Sequence, residues 1–211
     1  MKLETLQKYG GLSIMSGSLL LTAYSICFSL FLPVSSLRQD YVSTVLNSNW
    51  IWITSLAFFG VLFMIFGFTA VYSKIRKTSG ALGFWGYIII ELAYLLQACN
   101  ITWEICIWPV IASNASFAPL LGDKILSHSQ FVSILSYSSM LTIFVGIILF
   151  CIALIKSNVF SKYGGILIFA GAILYGLGPM VSLIVAIGGI FIFSAGCFII
   201  ALKMMGTTVT K

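Results

Sequence analysis

The placement of positive charge between long apolar stretches constrains this chain more than any other feature. Six apolar stretches divide the sequence, and nine of its eleven Lys and Arg residues fall in alternate gaps. These nine are Lys2, Lys8, Lys74, Arg76, Lys77, Lys156, Lys162, Lys203 and Lys211. The other gaps hold only Arg38 and Lys124. Because loops rich in Lys and Arg stay in the cytoplasm, the pattern predicts six membrane crossings with both termini inside.

The composition points to lipid as the solvent of this protein. Hydrophobic residues make up 60% of the chain and charged residues only 8%, whereas a soluble protein carries roughly a quarter of its residues as charged ones. In lipid the backbone must satisfy its own hydrogen bonds, which favours helices. We therefore predict an all-α membrane protein whose residues 1–211 form one polytopic domain in the cell membrane, in contact with membrane lipid.

Hydropathy and proline positions set the expected helix boundaries. Pro33, Pro109 and Pro179 each follow or end an apolar run on the outer side, where a missing amide donor does little harm. Residues 36–46 carry a weak amphipathic pattern, which predicts a short helix along the outer interface. The membrane helices are predicted near residues 10–32, 50–73, 80–108, 129–155, 160–178 and 180–203.

A short motif, Lys-x-x-Gly-x-x-x-x-x-Gly, recurs at the start of the odd-numbered helices. Its glycine pairs are Gly11 and Gly17, Gly80 and Gly86, and Gly165 and Gly171. The even-numbered helices carry small residues seven positions apart: Gly60 and Gly67, Gly146 and Ala153, and Gly189 and Gly196. Seven residues span two helical turns, so each such pair lies on one face and lets another helix approach closely.

This pattern predicts three parallel two-helix hairpins, with the motif glycines at helix contacts. Convergence is the alternative, because many membrane helices begin with a cation and carry small residues where they pack. Six glycines on helix faces exceed what three hairpins need for their own packing: Gly10, Gly11, Gly17, Gly164, Gly165 and Gly171. They favour a partner, either another membrane protein or a second copy of this chain.

Two carboxylates lie inside the predicted spans, Glu91 and Glu104, both on the third helix. A charged group there costs about 2.5 to 3.5 kcal/mol on insertion scales, which makes both of them functional candidates. Their separation corresponds to about 20 Å of rise and about 140° of rotation, so they cannot act as a pair. For Glu91 we favour a neutral side chain hydrogen-bonded across helices to a Ser or Tyr, with a proton or cation path as the alternative.

Glu104 belongs to a group of polar residues that predicts an outward-facing site. Gln97, Asn100, Glu104 and Trp108 fall along one side of the third helix, and Asn100 is one turn from Glu104. Other residues of the outer half would complete the pocket: Trp50, Trp52, Trp103, His128, Ser129, Ser133 and Ser136. The alternative is that the tryptophans form the outer aromatic belt and that Glu104 is hydrated at the interface.

Several classes of site are not supported by the sequence. The five cysteines lie in apolar stretches without a CxxC pair, which is typical of small core residues. A single histidine argues against haem and metal centres. The cations form no patch interleaved with aromatic residues, which argues against nucleic acid. No hydrolase or phosphate-loop motif is present. We therefore expect no cofactor, no metal and no enzymatic activity.

One part of the chain resembles a known group. The runs VGIILFCIALIKSNVFSKYGGILIFAGAILYGLGP and IGGIFIFSAGCFIIALK lie between about Gly146 and Lys203. They resemble helices four to six of DUF4386-like membrane proteins, a poorly characterised six-helix prokaryotic group. In these proteins a short basic inner loop precedes a glycine-rich helix and a tight Gly-Pro turn. The resemblance implies six helices, and it implies no catalytic or binding residues.

Three functions remain open at this point. The first is a non-enzymatic accessory subunit or a binder of a small amphipathic molecule in the outer half of the bundle. The second is transport, in which Gln97, Asn100 and Glu104 would recognise a polar or cationic solute. The third is a lipid-modifying enzyme that uses Glu91 or Glu104 as a lone acid.

Overall fold

A computed structural model of the protein describes residues 3–32, 41–121 and 130–206. Within these ranges the regular structure is helical, with short 3-10 turns at Ala118–Leu120 and Gly178–Met180. The α-helices of the described residues are α1 (Leu3–Phe31), α2 (Tyr41–Val45), α3 (Trp50–Ile75), α4 (Gly80–Cys106), α5 (Trp108–Ser113), α6 (Gln130–Ser157), α7 (Lys162–Leu177) and α8 (Leu183–Gly206).

Six helical segments are long and apolar enough to cross a membrane, which fits a multi-pass membrane protein. They correspond to the six predicted spans, although α1 begins at Leu3 rather than near residue 10. The third span is interrupted at Ile107, because Pro109 has no amide proton and its ring would clash with the carbonyl of Ile105. The chain then continues as α5, so this segment is longer than predicted.

Other predicted features lie partly outside the described residues. The interfacial segment predicted over residues 36–46 is seen only from Tyr41, where α2 is helical as expected. Pro33, His128 and Ser129 lie outside the described residues, and so does the side chain of Ser136.

The six long helices form a closed ring in chain order. Each one packs against the long helix before and after it, and α8 closes the ring against α1. Neighbours run antiparallel; for example, Gly17 faces Gly60 whereas Ile14 faces Gly67. Consequently Leu3 and Gly206 lie at one end of the ring, called here the proximal end. The opposite, distal end carries α2, α5 and the turn before α8.

The most extensive helix contacts occur within three sequential pairs, α1 with α3, α4 with α6, and α7 with α8. In each pair a glycine of the first helix lies against the backbone of the second, so closely that an added Cβ would come within 3.0 Å of it. The contacts are Gly17 with Met64, Gly86 with Phe150, and Gly171 with Phe193. The second glycine of each motif therefore packs as predicted.

Two further contacts recur at the same spacing in all three pairs. In each pair, the first small residue of the second helix faces the residue four positions after the second motif glycine. These contacts are Gly60 with Leu21, Gly146 with Ile90, and Gly189 with Tyr175. The second small residue packs three positions before the motif glycine, in the contacts Gly67 with Ile14, Ala153 with Gly83, and Gly196 with Ile168. The small residues thus set the same helix register in each pair.

The first glycines of the three motifs have different roles from one another. Gly11 lies against the backbone of Ala201 on α8, and Gly165 lies against Ile155 on α6. Gly80 contacts no other helix: a Cβ at this position would meet nothing within 4 Å, and its φ is +57°. The predicted packing role is wrong for Gly80, where glycine instead permits the left-handed backbone that starts α4.

Buried hydroxyl groups connect α1 to the helices that close the ring. The hydroxyls of Thr22 and Ser194 lie 2.7 Å apart, and Ser194 donates to the carbonyl oxygen of Ser18 at 3.1 Å. One turn further towards the distal end, Ser25 is hydrogen-bonded to Tyr175. Such bonds help to hold helices together inside a membrane, where the hydrophobic effect does not favour contact between helices over contact with lipid.

Candidate functional site

A cavity of about 280 Å³ lies inside the ring, and all six long helices contribute to its wall. Its polar lining consists of Gln97, Glu104 and the three tyrosines Tyr24, Tyr94 and Tyr175. The remaining wall is apolar: Leu21, Ala57, Val61, Ile101, Met140, Ile143, Phe144, Ile147, Ala172, Gly176, Ile190 and Phe193. Because these positions lie in the distal parts of their helices, the cavity occupies the distal half of the ring.

Helix α4 supplies most of the polar wall. Tyr94, Gln97, Ile101 and Glu104 all line the cavity, and their spacing of three, four and three residues places them on one face of the helix. Gln97 and Glu104 are two turns apart, which is about 10 Å along the helix axis. Glu104 is the more distal of the two, so it lies nearer the distal end of the cavity.

Glu104 is a half-buried residue whose side chain lines the cavity. Its backbone carbonyl oxygen accepts a hydrogen bond of 2.9 Å from the indole nitrogen of Trp50. Its carboxylate, by contrast, has no hydrogen-bond or ion-pair partner among the residues that the structure describes. The backbone at this position is therefore held firmly while the carboxylate remains available to a bound molecule.

Gln97 is oriented by the neighbouring helix. Its side-chain oxygen accepts a hydrogen bond of 3.0 Å from the hydroxyl of Ser139 on α6. The amide nitrogen remains as a donor, since a glutamine side chain carries both an acceptor and donors. The wall of the cavity thus offers one carboxylate and one oriented amide.

Aromatic side chains cluster at the distal end of the ring, beyond the cavity. This aromatic cap consists of Phe28, Tyr41, Trp50 and Trp108, and Trp50 is only 1% exposed. The rings of Trp50 and Trp108 stack at a centroid distance of 6.1 Å, and Tyr41 meets Trp108 edge-on at 5.2 Å. Tyr24 links the cap to the cavity wall, because its ring lies 5.4 Å from that of Phe28.

A second aromatic group forms the proximal floor of the cavity. The ring of Tyr94 stacks on Phe68 at 5.6 Å, and Phe68 meets Phe150 edge-on at 5.3 Å. Phe68 and Phe150 are buried. Aromatic groups therefore lie beyond the distal end of the cavity and at its proximal end, and apolar side chains form most of its wall.

The structure brings together only part of the predicted site. Gln97 and Glu104 line the cavity, whereas Asn100, Trp108 and Ser133 do not. Asn100 lies about 60° around the helix from Gln97, on the side away from Tyr94. Asn100 is one turn from Glu104, but no hydrogen bond joins their side chains in the part of the chain that the structure describes, and Trp108 belongs to the aromatic cap instead.

The tryptophans divide into two groups. Trp52 and Trp103 are 42% and 44% exposed, as residues of an outer belt would be. Trp50 is buried and hydrogen-bonded to α4, so the belt interpretation is wrong for this residue. Sequence reasoning also missed the three cavity tyrosines, although Tyr94 could have been found by its position three residues before Gln97.

Glu91 lies outside the cavity, in the contact between α3 and α4. The hydroxyl of Thr69 donates to its carboxylate oxygen at 3.1 Å and lies 3.2 Å from the hydroxyl of Tyr87. The expected hydrogen bond across helices is thus present, with a threonine rather than a serine or tyrosine as the partner. This side chain is tied to the helix contact and does not face the site of Glu104.

The sequence predicts that all five cysteines are small core residues, and this prediction is wrong for two of them. Cys151 and Cys197 are buried, but Cys99 and Cys106 are exposed on the outer surface of the ring. Among the described residues no group of three His, Cys, Asp or Glu side chains is placed to hold a metal ion.

The chain was compared with protein-family models, with curated proteins and with solved structures, and none of them matches it. The resemblance to DUF4386-like proteins stays a prediction.

Proposed function

We propose that this protein is a non-enzymatic membrane protein that binds a small amphipathic molecule in the cavity beside Glu104. The observation that carries this proposal is the Glu104 carboxylate, which faces the cavity and has no partner among the described residues. A carboxylate inside a membrane-spanning segment is costly and is therefore a candidate binding group. A bound molecule with a complementary polar end would supply the partner that it lacks.

The distribution of polarity around the wall fits an amphipathic shape. Glu104 lies at the distal end of the cavity, and the apolar wall extends from there towards Tyr94 and the aromatic floor. We infer that the polar end of the molecule lies beside Glu104 and that its apolar part points to the proximal side. The volume of about 280 Å³ is at the lower end of the range for ligand sites, which favours a small molecule.

The glycine faces no longer favour an accessory role. The sequence predicts a partner because six glycines are more than three hairpins need for their own packing. In the structure each of these glycines packs against another residue of this chain. They are Gly10, Gly11, Gly17, Gly164, Gly165 and Gly171. Internal packing accounts for these glycines, and we therefore favour ligand binding over the role of a partner subunit.

Transport is the alternative function, and it has weaker support. Its expected mechanism needs helices broken near the middle of the membrane. The glycines proposed as break points, Gly17, Gly86 and Gly171, lie within continuous stretches of α1, α4 and α7. The interruption at Ile107 is near the distal end of its segment rather than at the middle.

We further propose that the cavity belongs to the outer half of the membrane. All described Lys and Arg residues lie at the proximal end: Lys8, Lys74, Arg76, Lys77, Lys156, Lys162 and Lys203. The positive-inside rule then assigns the proximal end to the cytoplasm. The recurring glycine contacts likewise support three copies of one two-helix hairpin, arranged in parallel around the cavity.

Retention of small molecules by the purified protein tests the proposal. The protein is purified in lipid nanodiscs, and its bound molecules are extracted and measured by mass spectrometry. Ala172→Phe adds a ring inside the cavity, and Ile166→Phe places one at an exposed position of the same helix. We expect the first variant to lose a molecule that the wild type and the second variant retain. Identical extracts from all three proteins would overturn the proposal.

A further inference from the structure

We infer that the ligand is a lipophilic ammonium ion, with its charged nitrogen beside Glu104 and its apolar body against the proximal wall. This inference rests on the proposed function and adds the chemical class of the ligand to it. Three features of the cavity lead to it: its charge, its aromatic lining and the existing hydrogen bonds of its polar groups.

The described wall of the cavity carries an acidic group and no basic one. Its lining contains the carboxylate of Glu104 and no Lys, Arg or His among the described residues. The described cations all lie at the proximal end, beyond the aromatic floor of Tyr94 and Phe68. An ionised Glu104 therefore has no positive charge of the described chain beside it, and a cationic ligand would supply one. An anionic ligand would instead meet repulsion in a medium that screens charge poorly.

The aromatic lining favours an alkylated ammonium over a strongly hydrated one. Five of the wall residues are aromatic: Tyr24, Tyr94, Phe144, Tyr175 and Phe193. Aromatic faces attract cations, and quaternary ammonium groups are the ligands that aromatic cages typically bind. An alkylated nitrogen also loses less hydration on entering a largely apolar cavity than a primary ammonium does. The apolar remainder of the wall suits a hydrocarbon body.

Existing hydrogen bonds reduce the capacity of the cavity for a highly polar neutral ligand. The oxygen of Gln97 already accepts from Ser139, and Tyr175 is hydrogen-bonded to Ser25. A sugar or another polyhydroxylated solute needs several acceptors and donors, and the wall is mostly apolar. A single charge on an apolar body matches the available groups better.

Benzyltrimethylammonium and neopentylbenzene provide the test, because the two molecules have the same shape and differ only in the charged nitrogen. Binding of each is measured by calorimetry to the full chain in nanodiscs of zwitterionic lipid, with phenylacetate as the anionic probe. We expect the wild type to bind the ammonium at least about tenfold more tightly than the neutral isostere and to reject the anion. This comparison needs no variant and so does not depend on a mutant that folds.

Two matched variants then locate the charge effect. Glu104→Gln removes the charge in the cavity, whereas Glu91→Gln makes the same change on the same helix but outside the cavity. We expect the first to lower ammonium affinity about tenfold or more without weakening the neutral probe, and the second to leave both unchanged.

The outcomes separate the two proposals. If the wild type does not bind the ammonium more tightly than the neutral isostere, or if Glu104→Gln does not weaken the ammonium, the inference of a cationic ligand is overturned, and binding in the cavity still stands if Ala172→Phe changes the extracted molecules. If none of the probes binds and Ala172→Phe leaves the extracted molecules unchanged, the proposed function itself fails.

Discussion

The indole nitrogen of Trp50 donates a hydrogen bond of 2.9 Å to the backbone carbonyl oxygen of Glu104. This bond joins the distal end of α3 to α4 just before the interruption at Ile107. The same indole ring stacks on Trp108, so Trp50 connects the aromatic cap to the backbone that presents the carboxylate. The orientation of the proposed binding group therefore depends on a residue that does not itself line the cavity.

Trp50→Phe is expected to lower the free energy of unfolding by about 1 to 3 kcal/mol, because it leaves the carbonyl of Glu104 without its donor and removes buried ring atoms. The matched control is Trp52→Phe, which changes an exposed tryptophan whose indole bonds to Asn49. Reversible unfolding in mixed micelles measures both. Equal stability of the two variants would show that the Trp50 bond has no special role.

Two adjacent glycines of α8 test the packing of the helix pairs. A Cβ at Gly189 would lie 2.6 Å from the backbone carbon of Leu174, whereas a Cβ at Gly188 would meet nothing within 4 Å. We expect Gly189→Ala to destabilise the protein by about 1 to 3 kcal/mol through overpacking. Gly188→Ala should be neutral or slightly stabilising, because alanine favours the helix. Thermal unfolding of both variants distinguishes them, and equal losses would contradict the described contact.

The hydrogen bond between Thr22 and Ser194 is predicted to couple α1 to α8. A double-mutant cycle with Thr22→Val and Ser194→Ala should give a coupling energy of about 0.6 kcal/mol, the average for polar contacts between membrane helices, and at most about 1.7 kcal/mol. Thr102→Val is the control for loss of a hydroxyl, since Thr102 is exposed and bonds only to its own helix. Additive effects of the two mutations would mean that the helices are not joined at this point.

The orientation of the ring can be tested by labelling single cysteines in a variant without the native ones. Asn114 lies at the distal end and Thr78 lies in the turn between α3 and α4 at the proximal end. A membrane-impermeant maleimide should react with Asn114→Cys in intact cells and with Thr78→Cys only after the membrane is opened. The reverse pattern would place the cavity in the cytoplasmic half.

The spans and the glycine contacts could be predicted because they depend on local patterns. A run of apolar residues is long enough to cross the membrane whatever lies beside it, and residues seven apart share a helix face wherever the helix packs. For this reason Gly17, Gly86 and Gly171 were placed at helix contacts from spacing alone. Gly80 carries the same motif position, but its role depends on the turn before α4, which the motif does not encode.

The composition of the site was harder to predict because the outer surface of a membrane protein is as apolar as its interior. Hydrophobicity therefore could not distinguish the exposed Cys99 from the buried Cys151. It also could not show which side of α4 faces the cavity. Polarity alone predicts that Asn100 belongs to the site. In the structure α8 packs against α1 and closes the ring, which brings Tyr24, Tyr94 and Tyr175 together in the cavity wall from helices distant in sequence.

A high-resolution electron cryomicroscopy map of the protein, taken from its membrane into nanodiscs without added ligand, tests the account most directly. We predict non-protein density in contact with the Glu104 carboxylate that continues along the apolar wall towards Tyr94. A map in which Glu104 bonds to another side chain of the protein, with no density in the space between the aromatic cap and Phe68, would contradict it.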